Sequence, residues 1–346
     1  MAFDLSFLPG ITYVQMVLDF EVADPVTIPG FAGSSFRGAL GDVFRPALCC
    51  RRPTCAARCE SPETCPCYSL FERDRDSTGR FSRNAPKAMI LEPVVPLGLD
   101  QIAHGRAVEP PYRLDRGHPP VVSNASSWTA TEGHRLPLLM TLLGPVAALA
   151  PAVVEALRVA PFSAMGGRLW LARALDGSTA GRTLFDAAYP AYGVQPPAIR
   201  SLGWPGGEPF SGRARVVLTT PTRQMRDGGL AVDAIPLAVS FPRDCLVRAI
   251  RVHDALGPPG RERLPWMDVP SVFRAVEHRL ALYAWQRVSH RQQRWLVHGE
   301  FDGMIGYFDL EGEWSADLIR LMLAVEVLHV GQKASFGLGR VRWHRL

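Results

Sequence analysis

The sequence predicts an α+β protein made of two tandem ferredoxin-like domains, residues 1–188 and 213–346, joined by a linker at 189–212. Two observations carry this prediction. In each half, short β-branched or apolar runs and segments of helical periodicity follow one another in the order β-α-β-β-α-β. Each half also ends in a helix, a glycine turn and a strand, and the segment between the halves is rich in proline and glycine.

The first half contains six predicted elements. We expect strands at 11–22, 87–95, 135–144 and 166–175. One helix is predicted at 34–48, where Ser34 and Ser35 are the candidate caps. A second is predicted at 145–159, where Pro151 should kink or split it.

The second half begins with a predicted strand at 214–220, followed by a helix at 271–288 whose apolar residues recur at helical spacing. Two apolar runs then meet at Asp302-Gly303, a strong hairpin signal. A helix is predicted at 315–331, with a serine cap at its start and Gly331 at its end. The chain closes with an alternating strand.

Bulk properties narrow the class of protein. The 346 residues are 47% hydrophobic, and no run reaches the ~18 apolar residues of a membrane span. The first residues lack the pattern of a secretory signal, so a cytoplasmic protein without membrane contact is expected. The net charge is +5, and Lys87 and Lys333 are the only lysines among 38 basic residues. Arginine suits phosphate recognition, but a GC-rich genome would produce the same bias.

Six of the seven cysteines lie between residues 49 and 67. In a cytoplasmic protein such a cluster favours metal ligation, with reduced thiols or disulfides as alternatives. The spacing predicts a structural zinc held by Cys55, Cys59, Cys65 and Cys67. A zinc with four cysteine ligands has no open coordination position, so we expect it to stabilise an insertion in the first domain and to take no part in catalysis.

The segment HVGQKASFGLGRV at 329–341 combines three glycines with a lysine and an arginine. Glycines allow a backbone to approach a phosphate closely, and successive N–H groups in a tight turn bind anions. The alternative is that Gly331 ends a helix and the other two glycines fit a bend before the last strand.

Several segments together resemble the Cas6 family of CRISPR-associated endoribonucleases, which are RAMP proteins with RRM-like domains. They are GFAGSSFRGALGDVFRPALC, CPCYSLFE, VVLTTPTR, SHRQQRWLVHGEFDGMIGYFDL and LHVGQKASFGLGRV. The resemblance covers roughly 30–72 and 213–343. It implies binding of CRISPR repeat RNA, contact with other Cas subunits, and cleavage of precursor CRISPR RNA without a catalytic metal. In that reaction the ribose 2′-hydroxyl attacks the adjacent phosphate and leaves a 2′,3′-cyclic phosphate.

The resemblance also directs attention to particular residues. Many Cas6 enzymes carry their general base on or just after the first helix, but residues 33–48 contain no histidine. We therefore expect His329, at a helix end beside the loop, to transfer the proton, with Lys333 and Arg37 stabilising charge. Structural roles for His329 and Arg37 remain alternatives. The predicted RNA contacts are His290, Arg291, Arg294, Gly331, Gly337, Gly339 and Arg340, although the SHRQQR residues also fit a solvated basic edge.

Three functions are compatible with these features. The first is a Cas6-type endoribonuclease. The second is a subunit that holds repeat RNA within an effector complex without cutting it, which the missing first-helix histidine favours. The third, a backbone subunit with no role in processing, fits the glycine-rich C-terminal segment less well.

Overall fold

The computed structural model describes residues 4–28, 32–49, 65–72, 85–93, 121–123, 128–159, 161–177, 182–226, 229–230, 234–257, 264, 273–284 and 303–346. Their strands form two main sheets whose core strands are antiparallel, with helices packed against each. Within the described residues, no helix is long and apolar enough to cross a membrane.

The first sheet takes its strands from residues 12–201. In chain order the elements of this part are β1 (Thr12–Val22), β2 (Val26–Ile28), α1 (Gly33–Leu48), β3 (Met89–Pro93), β4 (Val121–Ser123), β5 (Trp128–Ala130), β6 (Arg135–Leu143), α2 (Ala150–Arg158), β7 (Phe162–Ala164), β8 (Gly167–Asp176), β9 (Thr183–Asp186) and β10 (Arg200–Ser201). The sheet has the order β3-β6-β1-β8-β7, with β10 on β1 and β9 on β8. β2 and β5 pair separately.

β1 shows why this part folds as a sheet with one covered face. Its even-numbered side chains from Val14 to Val22 are fully buried, while Gln15, Asp19 and Glu21 on the other face are partly exposed. A strand points alternate side chains to opposite faces, so this sequence buries one apolar row. Helices α1 and α2 pack against each other and against strands of this sheet.

The second sheet is built mainly from the C-terminal part of the chain. Its elements are β11 (Phe210–Thr222), β12 (Met225–Arg226), β13 (Gly229–Leu230), α3 (Ala234–Leu256), β14 (Arg274–Ala284), β15 (Gly303–Trp314), α4 (Ala316–Leu328) and β16 (Val341–Arg345). The sheet order is β16-β11-β15-β14-β4, so β4 from the first half completes its edge, parallel to β14. β12 and β13 form a separate ribbon. α3 and α4 pack together on this sheet.

All six predicted elements of the first half are present, and the last predicted helix begins at its serine. Ser315 accepts a hydrogen bond from Leu318 N at 3.2 Å. The predicted split near Pro151 is also found: a short 3-10 helix, Gly144–Leu149, precedes α2. The proposed caps of α1 are wrong, because the helix already begins at Gly33 after Ala32 and no side chain caps it.

The prediction of a helix at 271–288 is wrong, because residues 274–284 form β14. The first helix of this half is instead α3, which contains Pro242. The strand predicted before Asp302 lies outside the described residues. The predicted linker is partly structured, since β10 pairs with β1 and β11 already begins at Phe210.

The two sheets share one continuous cluster of buried apolar side chains. The segment between α4 and β16, residues 329–340, lies where the sheets meet. We call it the glycine-rich loop. It contacts the end of β11 on one side and β3 on the other, and it is therefore the part of the chain in which residues from both sheets come together.

Candidate functional site at the junction of the two sheets

Hydrogen bonds to β11 fix the glycine-rich loop to the second sheet. Thr220 Oγ1 donates to Gly337 O at 2.8 Å and accepts from Arg340 N at 2.9 Å. Gly339 N donates to Pro221 O at 3.0 Å, and just beyond β11, Gln332 N donates to Arg223 O at 2.8 Å. The segment VVLTTPTR thus provides the base on which the loop rests.

The three glycines of the loop are required by its backbone. Gly331, Gly337 and Gly339 have φ of +84°, +90° and +75°, a region that favours glycine. A Cβ would lie 2.4 Å from Arg223 O at Gly331, 2.2 Å from Leu91 O at Gly337, and 1.8 Å from Val330 O at Gly339. The glycines therefore allow close packing of the loop on the protein's own backbone.

This packing changes the interpretation of the glycines as phosphate ligands. Gly337 and Gly339 are buried, and their N–H groups donate to Ala334 O and Pro221 O. Those two N–H groups are thus already used inside the protein, whereas an anion-binding turn needs them to point outward. Direct phosphate contact by Gly337 and Gly339 does not fit this arrangement; Gly331 is partly exposed.

His329, the predicted proton-transfer residue, is fully buried. Its Nδ1 lies 2.8 Å from Leu338 O, and its Nε2 lies 2.8 Å from Glu92 Oε1. Both ring nitrogens are occupied by protein groups, and no ring atom reaches the surface. The prediction that His329 exchanges a proton with RNA therefore does not fit this structure, which gives the ring a position in the joint between the sheets.

Glu92 is a site residue that the sequence analysis missed. It lies on β3, is 5% exposed, and accepts hydrogen bonds from His329 and from Arg340 Nη1. Burial raises the pKa of Glu92, but the charge and hydrogen bond of His329 and the charge of Arg340 together hold it below the ordinary value. The sequence signal that could have identified Glu92 is its position as a single charged residue in the apolar run AMILEPVV.

Leu338 O can only accept a hydrogen bond, so Nδ1 of His329 donates to it. The carboxyl group of Glu92 lies between the ring of His329 and the guanidinium of Arg340, with one oxygen on each.

Arg37, a predicted cation of the site, does lie beside the loop. Its guanidinium is 5.5 Å from the ring centre of Phe336 in the loop and 5.1 Å from that of Phe71. Nη2 also donates to Phe71 O at 2.9 Å. Arg37 is 9% exposed, so it lies near two aromatic rings and is not a solvated arginine on the surface of α1.

Lys333, the second predicted cation, lies within the loop and is partly exposed. Its backbone is left-handed, with φ 58° and ψ 26°. Non-glycine residues adopt this conformation only where the surrounding structure imposes it, and such residues cluster at functional sites. Arg37 therefore lies beside the loop that carries His329, Lys333 and Arg340, and the ring of His329 lies inside the protein.

The other predicted site residues divide between the described part of the chain and the rest. His290, Arg291 and Arg294 lie outside the described residues, as do Cys55 and Cys59. Cys65 and Cys67 are buried beneath α1, and Cys67 Sγ lies 3.3 Å from Phe44 O. Among the residues that the structure describes, no group of three or more His, Cys, Asp or Glu is arranged to hold a metal.

The described half of the predicted zinc set fits zinc in residue type. Two cysteines one residue apart are both buried, as ligands of a structural site would be. As placed, Cys67 donates its S–H to Phe44 O, a bond that a zinc-bound thiolate would give up. The zinc therefore stays a prediction.

Chemically, the site combines a loop whose backbone is held in a fixed conformation with cations that can stabilise negative charge.

Residues 217–341, which include the whole loop, match the family described as CRISPR-associated endoribonuclease Cas6, and residues 11–174 match a family described as an N-terminal domain. No curated protein sequence matches the chain.

Solved structures extend the comparison over nearly the whole chain. A Cas6 product complex is similar over 96% of this chain and 99% of its own, with 17% identity and a TM-score of 0.50. Cas6 from Thermus thermophilus is similar over 96% and 99%, with 16% identity and a TM-score of 0.47. A partial Cas6-RT-Cas1–Cas2 complex is similar over 98% of this chain and 47% of that chain, with 11% identity and a TM-score of 0.50.

At sequence identities of 11–17%, the similarity to these structures shows the fold alone. The match to the Cas6 family model covers the glycine-rich loop and most of the second sheet. Residues 217–341 therefore match the family of CRISPR-associated endoribonucleases called Cas6, and the chain as a whole has a fold similar to that of Cas6 structures.

Proposed function

We propose that this protein binds CRISPR repeat RNA and cleaves precursor CRISPR RNA. The observation that carries the proposal is the glycine-rich loop itself. It lies within the Cas6 match, at the junction of the two sheets, with Lys333 on a left-handed backbone and Arg37 stacked on Phe336. Similar structures include a Cas6 product complex and a Cas6-RT-Cas1–Cas2 complex, which supports RNA and other Cas proteins as partners.

The proposal includes two ferredoxin-like domains. Leaving aside the short strands, each half has the order β-α-β-β-α-β. The strand orders β3-β6-β1-β8 and β16-β11-β15-β14 place the first strand of each unit between its third and fourth. This order supports the ferredoxin-like assignment, with the cysteine segment after α1 as an insertion stabilised by zinc.

The proposed reaction needs no metal. The ribose 2′-hydroxyl attacks the adjacent phosphorus, the bond to the 5′-oxygen breaks, and the products carry a 2′,3′-cyclic phosphate and a 5′-hydroxyl. Lys333 and Arg37 would stabilise the charge of the pentavalent phosphorane, which is where fixed cations contribute most to the rate. Holding the 2′-hydroxyl in line with the leaving oxygen supplies a further large part of the rate. The SHRQQR segment at 289–294 would bind the RNA backbone, and Arg340 would add those of its N–H groups that do not bond to Glu92.

A second candidate is a subunit that holds repeat RNA without cutting it. Two observations favour it. α1 carries no histidine, and the ring of His329 is buried with both nitrogens bonded. Such a protein would use the same cations for binding only.

Incubation of the purified protein with its repeat RNA in EDTA separates the two candidates. A single product with a cyclic phosphate end supports the nuclease, and tight binding without a product supports the RNA-holding subunit. Lys333→Ala and Arg37→Ala should each slow single-turnover cleavage by about 10²-fold, the usual loss for one charge-stabilising donor. Lys87→Ala, which changes the only other lysine, serves as the matched control and should cut at the wild-type rate.

A further inference from the structure

The carboxylate of Glu92 joins the first sheet to both ends of the glycine-rich loop. Oε1 accepts from His329, the first residue of the loop, and Oε2 accepts from Arg340, its last. Glu92 is far from the other two residues in the chain, and it is the member that belongs to the first sheet. One side chain on β3 therefore holds the start and the end of a loop that belongs to the other sheet.

The hydrogen bonds of Glu92 are not the main contact that holds the two sheets together. A shared apolar cluster already connects the two sheets. Buried ion pairs often stabilise a protein no more than apolar residues of the same size would, because desolvation offsets the attraction. The hydrogen bonds of Glu92 instead fix the positions of the groups that they join, the His329 ring and the Arg340 guanidinium.

The loop needs such fixed ends because its backbone is strained. His329 has φ 58° and ψ 161°, a region that is essentially restricted to glycine, and Lys333 is left-handed. Conformations of this kind persist only where surrounding contacts impose them. The ring of His329 supplies two of those contacts, to Leu338 O and to Glu92.

Lys333 follows His329 by four residues, so its position depends on how the start of the loop is held. The first sheet also contacts the middle of the loop, where Gly337 packs on Leu91. If the ends were released, Lys333 would keep its charge but lose its defined place relative to an RNA phosphate. A displacement of about 1 Å in a positioned group can cost as much as 10²-fold in rate.

We propose that Glu92 is a positioning residue for RNA cleavage, which fixes the glycine-rich loop through His329 and Arg340 and so places Lys333. This inference rests on the proposed nuclease function. Glu92 itself does not touch the RNA, and its effect should fall on the cleavage step and not on binding.

The test compares Glu92→Gln with Glu326→Gln. Glu326 on α4 is a matched control, because it accepts from Arg342 Nη1 at 2.6 Å and from Trp343 N at 3.1 Å, both on β16 beyond the loop. Two quantities are measured: single-turnover cleavage over a range of protein concentrations, which separates the saturating rate from RNA affinity, and hydrogen exchange of peptides covering 329–340.

Glu92→Gln should lower the saturating cleavage rate by about 10- to 100-fold. RNA affinity should change by less than about threefold, because phosphate contacts dominate it. Exchange across 329–340 should become faster in Glu92→Gln. Glu326→Gln should match the wild type in both measurements.

Three results would overturn the proposal: unchanged exchange in Glu92→Gln, a loss confined to RNA affinity, or an equal loss in Glu326→Gln. If Glu92→Gln does not fold, Glu92→Asp keeps the charge and withdraws the carboxylate by one methylene. It should show slower cleavage and faster exchange, and wild-type behaviour would count against the proposal. If the wild type binds RNA but never cuts, the proposed nuclease function fails, while the exchange experiment still decides whether Glu92 fixes the loop.

Discussion

His329 has a backbone conformation in a region restricted to glycine. Its ring is fully buried, and both ring nitrogens make hydrogen bonds. The sequence indicated that this residue mattered, because it stands at a helix end beside the glycines. It could not indicate that the ring points inward, since the partner Glu92 lies 237 positions away. A contact of that range leaves no local pattern.

The ring of His329 makes stabilising contacts while its backbone is strained, so we expect an unusual ranking of stability between two substitutions at this position. His329→Ala and His329→Gly both lose the hydrogen bonds to Leu338 and Glu92. Only glycine adopts φ 58° and ψ 161° without strain, so His329→Gly should be the more stable of the two by about 1–3 kcal/mol. Chemical denaturation measures the difference. In ordinary positions glycine is the less stable residue, and that order here would contradict the backbone argument.

Gly337 gives a second prediction at this scale. Its φ is +90°, and a Cβ would lie 2.2 Å from Leu91 O, so Gly337→Ala should destabilise the protein by at least about 1–3 kcal/mol and separate the loop from β3. Gly38→Ala is the control, since Gly38 lies exposed on α1 and a Cβ there would meet nothing within 4 Å. It should raise stability by roughly 0.5–1 kcal/mol. Thermal melts of both variants check the pair, and equal effects would refute the packing argument.

At the scale of elements, the sequence located the strands of the first sheet well and exchanged a helix for a strand in the second. Val272, Val276 and Leu280 are spaced by four residues, which fits a helix and also fits one face of a strand, because four is a multiple of two. In β14, Val276 is 40% exposed, which a core-facing helix stripe would not allow. The true helix, α3, was missed because Pro236 and Pro242 lie within it.

The zinc site predicted in the cysteine segment after α1, residues 49–67, rests mainly on the spacing of the cysteines in the sequence. We expect about one zinc per chain, bound by thiolates. Metal analysis of Cys65→Ala/Cys67→Ala should show the zinc lost and the melting temperature lowered, with cleavage reduced only as the fold is lost. Cys245→Ala removes a buried cysteine on α3 and should retain the zinc. A wild-type protein that folds without stoichiometric zinc would disprove the site.

At the scale of the whole molecule, the order of elements and the resemblance at both ends of the chain led to the family whose model matches residues 217–341. The sequence also indicated the loop near the C-terminus as the candidate site. It did not reveal that β3 completes that site, because the joint exists only once both sheets are assembled. The division between domains was likewise simpler in the prediction, since β4 from the first half extends the second sheet.

The basic character of the chain predicts RNA binding that weakens steeply with salt. Arg291→Ala/Arg294→Ala should weaken binding and reduce the slope of log affinity against log salt by about 1.4, which corresponds to two single-strand phosphate contacts. Arg158→Ala, which removes a surface partner of Glu155 on α2, should leave the slope unchanged. Filter binding between low and moderate salt measures both slopes. An unchanged slope in the double variant would make SHRQQR a structural segment.

The central claim is that the 2′-hydroxyl of the RNA is the nucleophile and that no metal takes part. Single-turnover cleavage in EDTA tests it most directly, with two repeat RNAs that differ only by a 2′-deoxy nucleotide at the cut. The all-ribose RNA should be cut to a 2′,3′-cyclic phosphate, and the deoxy RNA should bind equally well and remain whole. Cleavage of the deoxy RNA, or a strict requirement for magnesium, would contradict the account.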